Sequence, residues 1–175
     1  MGDLVTERLL LHPLTVREAE RVTAGEPGAG DRWAPGYPTE GDIVGTRRFL
    51  TTCSITGDPR PFGPYEIRRR EDGCAIGGLG FHGPPDDDLG VTIGYGLIPS
   101  AYGRGYASEA LRALLRFARE HGVASVRGDT DQDNTASQRV MTAVGMRLVA
   151  EHERLRYYRI EWSDDDGTAD PVPRS

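Results

Sequence analysis

The sequence predicts one α/β (α+β) domain, a mostly antiparallel sheet of about seven strands flanked by helices. Three observations carry this prediction. Short runs of strand length recur along the chain, and two of them are joined by Asp72-Gly73, a strong hairpin signal. From about Tyr106 to His121, Leu111, Leu114, Leu115 and Ala118 recur at the three/four spacing of a buried helical face. The length of 175 residues suits one core, and 37% hydrophobic with 27% charged residues suits a folded, soluble chain.

Leu4 to Leu11 reads as a first strand stopped by Pro13, and Thr15 caps a short helix to about Val22. Residues 24–41 are rich in Gly and Pro and form a long loop, the kind of segment that often carries function. A second helix follows from about Asp42 to Thr51. Strands are expected around Tyr65-Glu66-Ile67, over Cys74–Phe81 and over Val91–Ile98, with a turn at Gly83–Asp88. Gly122 ends the long helix, Val123–Thr130 is a further strand, and Asn134 caps a helix closed by Gly145. Met146–Glu151 and Arg156–Trp162 complete the sheet. The domain is expected to span residues 1–162, with an acidic, Pro-rich and disordered tail over 163–175.

Several function classes are disfavoured at once. A net charge of −6 makes a poor nucleic-acid binder and favours cationic ligands. The chain has no lysine, which excludes a lysine-dependent phosphate loop or Schiff base. Cys53 and Cys74 do not make a disulfide framework, and the scattered His12, His82, His121 and His152 suggest no metal site. No basic, apolar leader opens the sequence and no stretch has the apolar length of a bilayer span, so a cytoplasmic protein is expected.

The most informative stretch is Leu97-Ile98-Pro99-Ser100-Ala101-Tyr102-Gly103-Arg104-Gly105-Tyr106-Ala107-Ser108-Glu109-Ala110. A strand ends, a Gly-rich loop follows and a helix begins at once. Glycines let successive N–H groups curl into one hollow, and the helix N-terminus adds free N–H groups and partial positive charge. Such a hollow suits a pyrophosphate, with Arg104 as a further contact. The Gly-x-Gly pair alone also fits an ordinary turn. A dinucleotide fingerprint fits less well, because its third glycine is Ser108 and the preceding strands form a meander.

These residues resemble the GCN5-related N-acetyltransferase (GNAT) superfamily, and within it the branch of the ribosomal-protein acetyltransferases RimJ and RimL. The superfamily loop Gln/Arg-x-x-Gly-x-Gly/Ala corresponds to Tyr102–Ala107, with tyrosine in the first place. The branch's form, Gly-x-Gly-Tyr-Ala-(Ser/Thr)-Glu-Ala, is intact from Gly103 to Ala110. Thr6-Glu7-Arg8-Leu9-Leu10-Leu11, Ile93-Gly94-Tyr95 and Asp133-Asn134-Thr135-Ala136-Ser137 with Val140 and Gly145-Met146 resemble further segments of the branch, so the likeness covers most of residues 4–162.

The resemblance implies a mixed sheet, splayed between the fourth and fifth predicted strands, with acetyl-CoA in the splay. Its pyrophosphate would sit on Gly103, Arg104, Gly105, Tyr106, Ala107 and Ser108, and its pantetheine along Leu97 and Ile98. The Leu97 N–H is the candidate for holding the acetyl carbonyl, and Asn134 would meet the pantetheine or its sulfur end. The reaction implied is direct attack of an amine on the thioester. The superfamily's usual proton donor falls at Met141, which cannot donate, so Ser137 is the substitute the branch suggests; by itself it is equally an ordinary first-turn serine. The branch's frequent glutamate is Thr92 here. Glu66, His82 and Asp129 remain as base candidates, and the sequence assigns no single catalytic base. Trp33 and Tyr37 in the long loop, with Asp129, are the expected acceptor site. A homodimer is expected by resemblance. The acceptor is a protein N-terminus or a small amine. The alternative is a non-catalytic acyl-CoA-binding module, favoured by Met141 and Thr92.

Overall fold

A computed structural model describes residues 2–163; the tail predicted from residue 163 lies almost wholly outside them. The chain forms β1 (Leu4–Val5), β2 (Leu9–Pro13), α1 (Val16–Ala24), α2 (Glu40–Thr56), β3 (Pro64–Arg69), β4 (Ala75–Phe81) and β5 (Gly90–Leu97). A 3₁₀ turn (Pro99–Ala101), α3 (Tyr106–Glu120), β6 (Ser125–Asp131), α4 (Thr135–Ala143), β7 (Arg147–His152) and β8 (Leu155–Glu161) complete it. The strands make one sheet in the order β1-β2-β3-β4-β5-β6-β8-β7. Every pairing is antiparallel except β5–β6.

Two departures from the sequence expectations matter. The first predicted strand is broken into β1 and β2, because Thr6 to Arg8 leaves the ladder and turns toward α3. This accounts for eight strands instead of about seven. The second helix is longer at both ends than Asp42–Thr51. Thr39 caps it, accepting from the Asp42 N–H while the Asp42 carboxylate accepts from the Thr39 N–H, a reciprocal box.

Side-chain alternation assigns the two faces of the sheet. Phe117 of α3 packs near Tyr65 of β3 and Phe81 of β4. Gly78, an odd number of residues from Phe81, faces Asp42 of α2. The helices α1 and α2 therefore cover one face and α3 the other. The core lies on both, with Leu9, Leu11, Ile76, Leu111, Leu114 and Val126 wholly buried.

The feature that positions the site is where β5 and β6 separate. They pair only at Gly90 with Ser125, Val91 with Val126 and Thr92 with Arg127, yet β5 continues to Leu97. The sheet is split beyond Thr92, and α4 begins close to the opening.

Candidate functional site

The Gly-rich loop has the geometry its sequence suggested. Gly103 and Gly105 sit at φ 76° and 80°, in the left-handed region that glycine adopts without strain. No side chain caps α3. Among the described residues the amides of Tyr106, Ala107 and Ser108 donate to no protein group. A Cβ added at Gly103 would meet nothing within 4 Å, whereas one at Gly105 would come to 3.3 Å from Arg8 Nη2. The arrangement fits a phosphate group by free donors and helix dipole together. The Arg104 side chain is exposed beside it.

A residue absent from the predicted site, Arg8, braces this loop. Its Nη1 donates to the Arg104 carbonyl at 2.9 Å, and its guanidinium lies 4.6 Å from the centre of the Tyr106 ring. Glu109, in the first turn of α3, accepts from the Thr6 hydroxyl at 2.5 Å, the Arg8 N–H at 2.8 Å and Arg8 Nε at 2.7 Å. Burial pushes the Glu109 carboxyl up, but the bonds from Thr6 and Arg8 outweigh it and hold the group below the usual carboxylate range. The Thr-x-Arg segment and the Glu of the Gly-rich motif are thus one structural unit.

Hydrogen-bond parity shows what β5 offers to the split. Ile98 N–H donates to Ile76, and His82 N–H donates to the Thr92 carbonyl. Even-numbered residues of β5 therefore bond to β4. Odd-numbered Tyr95 and Leu97 turn their main-chain groups to the other edge, where β6 has already left. Leu97 lies in the split with its N–H turned outward from β4. Ile98 is 1% exposed, and both its N–H and its carbonyl are used within the protein, by Ile76 and Ala101. It can offer a surface there, not a hydrogen bond.

Across the split stands the start of α4. Asn134 acts as its N-cap, accepting from the Ser137 N–H at 3.0 Å. The Ser137 hydroxyl is 2.7 Å from the Tyr95 hydroxyl, and Tyr95 also reaches the Ser137 carbonyl at 3.0 Å. Met141 is 2% exposed and would lie 3.4 Å from a side chain on Gly128, so it is core.

On the α2 face lies a cavity of about 360 Å³. Its floor is made of Gly78, Gly80, Gly94 and Gly96, which pair across β4 and β5 as Gly78 with Gly96 and Gly80 with Gly94. Four missing side chains leave the room. Tyr37, Glu40, Asp42, Arg48 and His82 stand around it. Burial pushes the Asp42 carboxyl up to about 6, against the hydrogen bonds from Thr39.

The remaining predicted site residues are distributed unevenly. Tyr37 lines the cavity and donates to Glu66 at 2.8 Å. Trp33 does not line it; the indole stands behind Tyr37, edge-on at 5.4 Å, in a separate cleft with Arg21 and Arg68. Asp129 is exposed on β6 and is not part of the cavity wall. Of the three base candidates, Glu66 is 4% exposed and held by Tyr37 and Arg68. His82 stands at the rim of the cavity, and among the described residues its ring nitrogens bond no protein group. Burial, then the Arg48 cation, hold its imidazole below the ordinary range, with Asp129 opposing. Among the described residues no cluster of three or more His, Cys, Asp or Glu could hold a metal ion, and no helix is long and apolar enough to cross a membrane.

A run of free helix-start amides, an unpaired strand edge and a cavity behind that edge lie together along β5. Residues 8–147 match the family model described as Acetyltransferase (GNAT) domain, and the chain belongs to that family of acetyltransferases. A curated relative in Bacillus subtilis (strain 168), named uncharacterized N-acetyltransferase YoaA, is 25% identical over 145 residues, 82% of each chain. The fold is also that of the ribosomal-protein-S5-alanine acetyltransferase from Vibrio fischeri, at a TM-score of 0.70 and 12% identity over 94% of this chain and 98% of that one. RimL, the ribosomal L7/L12 alpha-N-protein acetyltransferase, solved in complex with coenzyme A, aligns at a TM-score of 0.66 and 17% identity over 91% and 98%.

Proposed function

We propose that the protein is an acetyl-CoA-dependent N-acetyltransferase, moving acetyl from the thioester to a primary amine by direct attack. The acceptor is a protein N-terminus or a small-molecule amine. The observation that carries this is the run of free backbone donors, from the uncapped start of α3 to the unpaired edge of β5. Gly103, Gly105 and the amides of Tyr106 to Ser108 would hold the pyrophosphate, with Arg8 and Arg104 adding charge. The Leu97 N–H would stabilise the developing oxyanion.

The amine would enter through the glycine-floored cavity. Glu40 and Asp42 supply negative charge for a cationic amine, and Tyr37 supplies an aromatic wall. The sequence left the base unassigned; the cavity favours His82. A neutral imidazole takes a proton from nitrogen directly or through water, and its place at the rim lets it return the proton to solvent. Against the non-catalytic binding module that Thr92 and Met141 favoured, His82 at the cavity and the Ser137–Tyr95 hydroxyls across the split supply groups that would take up both tasks.

Calorimetric titration with acetyl-CoA tests the reading, with CoA, succinyl-CoA and NAD as controls and Gly105→Glu in parallel. That variant strains a left-handed position and adds negative charge to the hollow. Micromolar binding that the variant loses is the expected result. Folded protein that does not bind acetyl-CoA refutes the transferase.

A further inference from the structure

The contact between Tyr95 and Ser137 joins the two walls of the split. Tyr95 belongs to β5 and Ser137 to the first turn of α4, and they are 42 residues apart. The Ser137 N–H is held by Asn134, and the Tyr95 hydroxyl lies within hydrogen-bond distance of both the Ser137 carbonyl and the Ser137 hydroxyl. This is more restraint than a serine at a helix start needs, since Asn134 alone completes the cap.

We propose that Tyr95 is a positioning residue that turns the Ser137 hydroxyl hydrogen toward the departing sulfur of coenzyme A. The proposal rests on the acetyltransferase reading above. A phenol has one hydrogen and can aim it at either of two partners here. Donated to the Ser137 carbonyl, it leaves Tyr95 Oη as an acceptor, and the Ser137 hydrogen is spent on it. Donated to Ser137 Oγ, it satisfies that oxygen, and the Ser137 hydrogen is free to point into the split. Without Tyr95, nothing on the β5 wall fixes the rotation of the Ser137 hydroxyl. Tyr95 is largely buried, and burial pushes its phenol up to about 12, against the hydrogen bond of Ser137, so the hydrogen is present throughout the working range.

The chemistry balances without an added reagent. A C–N bond forms, the C–S bond breaks, and the electron pair of that bond stays on sulfur. Ser137 donates a hydrogen bond to the thiolate and keeps its proton. The proton that completes the thiol is the one nitrogen releases through His82 and water, and nothing is oxidised or reduced. The helix position that usually donates in the superfamily holds buried Met141 here, so the donor comes instead from a hydroxyl pair spanning both walls.

Coenzyme A itself is the probe, so no acceptor need be known. The thiolate absorbance of protein-bound coenzyme A, titrated with pH, reports the donor directly. Tyr95→Phe and Ser137→Ala each raise the pH midpoint of thiolate formation by about one unit, a tenfold change in the ionisation constant. The double variant shifts no further than Ser137→Ala, because both act through one hydrogen bond. Ser137→Thr keeps the hydroxyl and the wild-type midpoint, a rescue that a merely structural role would not require. Melting curves and coenzyme A affinities identify any variant that fails to fold, and Ser137→Thr against Ser137→Ala then decides. Wild-type midpoints in Tyr95→Phe, or shifts that add in the double variant, overturn the proposal and leave the transferase standing. Failure of the wild type to bind coenzyme A removes both.

Discussion

Replacing Glu109 by alanine will weaken the fold and the phosphate hollow together, because one carboxylate holds both. Its Oε2 accepts from the Thr6 hydroxyl and the Arg8 N–H, bonds that keep the β1–β2 turn against α3. Hydrogen bonds to a charged group contribute about 1.5–3 kcal/mol each. Its Oε1 pairs with Arg8 Nε, but Arg8 is 43% exposed, so that pair adds roughly 0.5 kcal/mol. Water re-enters the exposed side of the turn, and the net loss is about 2–3 kcal/mol, a fall in melting temperature of roughly 5–10 °C for a chain of this size. Arg8 also loses its anchor and with it the grip on the Arg104 carbonyl, so acetyl-CoA affinity falls about tenfold, or ~1.4 kcal/mol. Differential scanning fluorimetry and calorimetric titration measure both. The pH dependence adds a signature. A depressed carboxylate stabilises above its unfolded value of about 4.3 and ceases to do so as the pH falls through its lower folded value. The gap between wild type and variant therefore closes on acidification. A variant that melts within about 2 °C of wild type and binds acetyl-CoA equally well would refute the reasoning.

Two further outcomes follow from the cavity. Asp42 has its carboxyl raised, so the native state holds a proton that the unfolded chain has lost between about pH 4 and about pH 6, and stability falls as the pH rises through that window. Asp42→Asn removes this slope and gains roughly 2 kcal/mol at pH 8 after allowing for partial exposure, read from denaturant melts at several pH values. His82→Gln lowers kcat about a hundredfold with a primary-amine substrate, while acetyl-CoA affinity is unchanged, and the acid limb of the pH–rate profile disappears with it. Calorimetry and thiol-release kinetics over pH 5–9 check this, and a retained acid limb would point to another base.

Much of the fold was legible because its signals are local. The hairpin at Asp72-Gly73, the apolar face of α3 and the caps at Thr15 and Asn134 each depend on residues within a turn or two, and each element formed where expected. What escaped depends on distant partners. Thr6 to Arg8 reads as strand until Glu109, about a hundred residues on, draws it out of the ladder. The start of α2 was hidden because Gly41 and Gly45 dilute its helical pattern, although Thr39 and Asp42 stood at box spacing. The Gly-rich hollow was visible in one segment. The cavity was not, since Gly78, Gly80, Gly94 and Gly96 become a floor only once the register of β4 against β5 is fixed. Trp33 shows the reverse: an aromatic in a Gly- and Pro-rich loop reads as a binding wall, whereas its backbone bridges Ala75 and its ring stands against Tyr37, outside the cavity lining.

The alternation of β5 gives its two faces different surroundings. Ile93, Tyr95 and Leu97 point one way, and Tyr95 reaches α4 on that side. Gly94 and Gly96 point the other way, into the cavity under α2. Side chains in place of the glycines would fill the cavity; a Cβ on Gly94 alone would come to 3.0 Å from His82 Nε2. Glycine in place of Tyr95 would leave Ser137 without its cross-split partner. The same period of two governs the backbone, since the residues whose bulk faces α4 are the ones whose N–H groups face the gap left by β6. Under the proposed function, an acyl donor on one face and an amine on the other would meet at the strand's open edge, beside Leu97. An insertion of one residue within 93–97 would invert both assignments at once, placing bulk in the cavity and turning the free N–H groups onto β4.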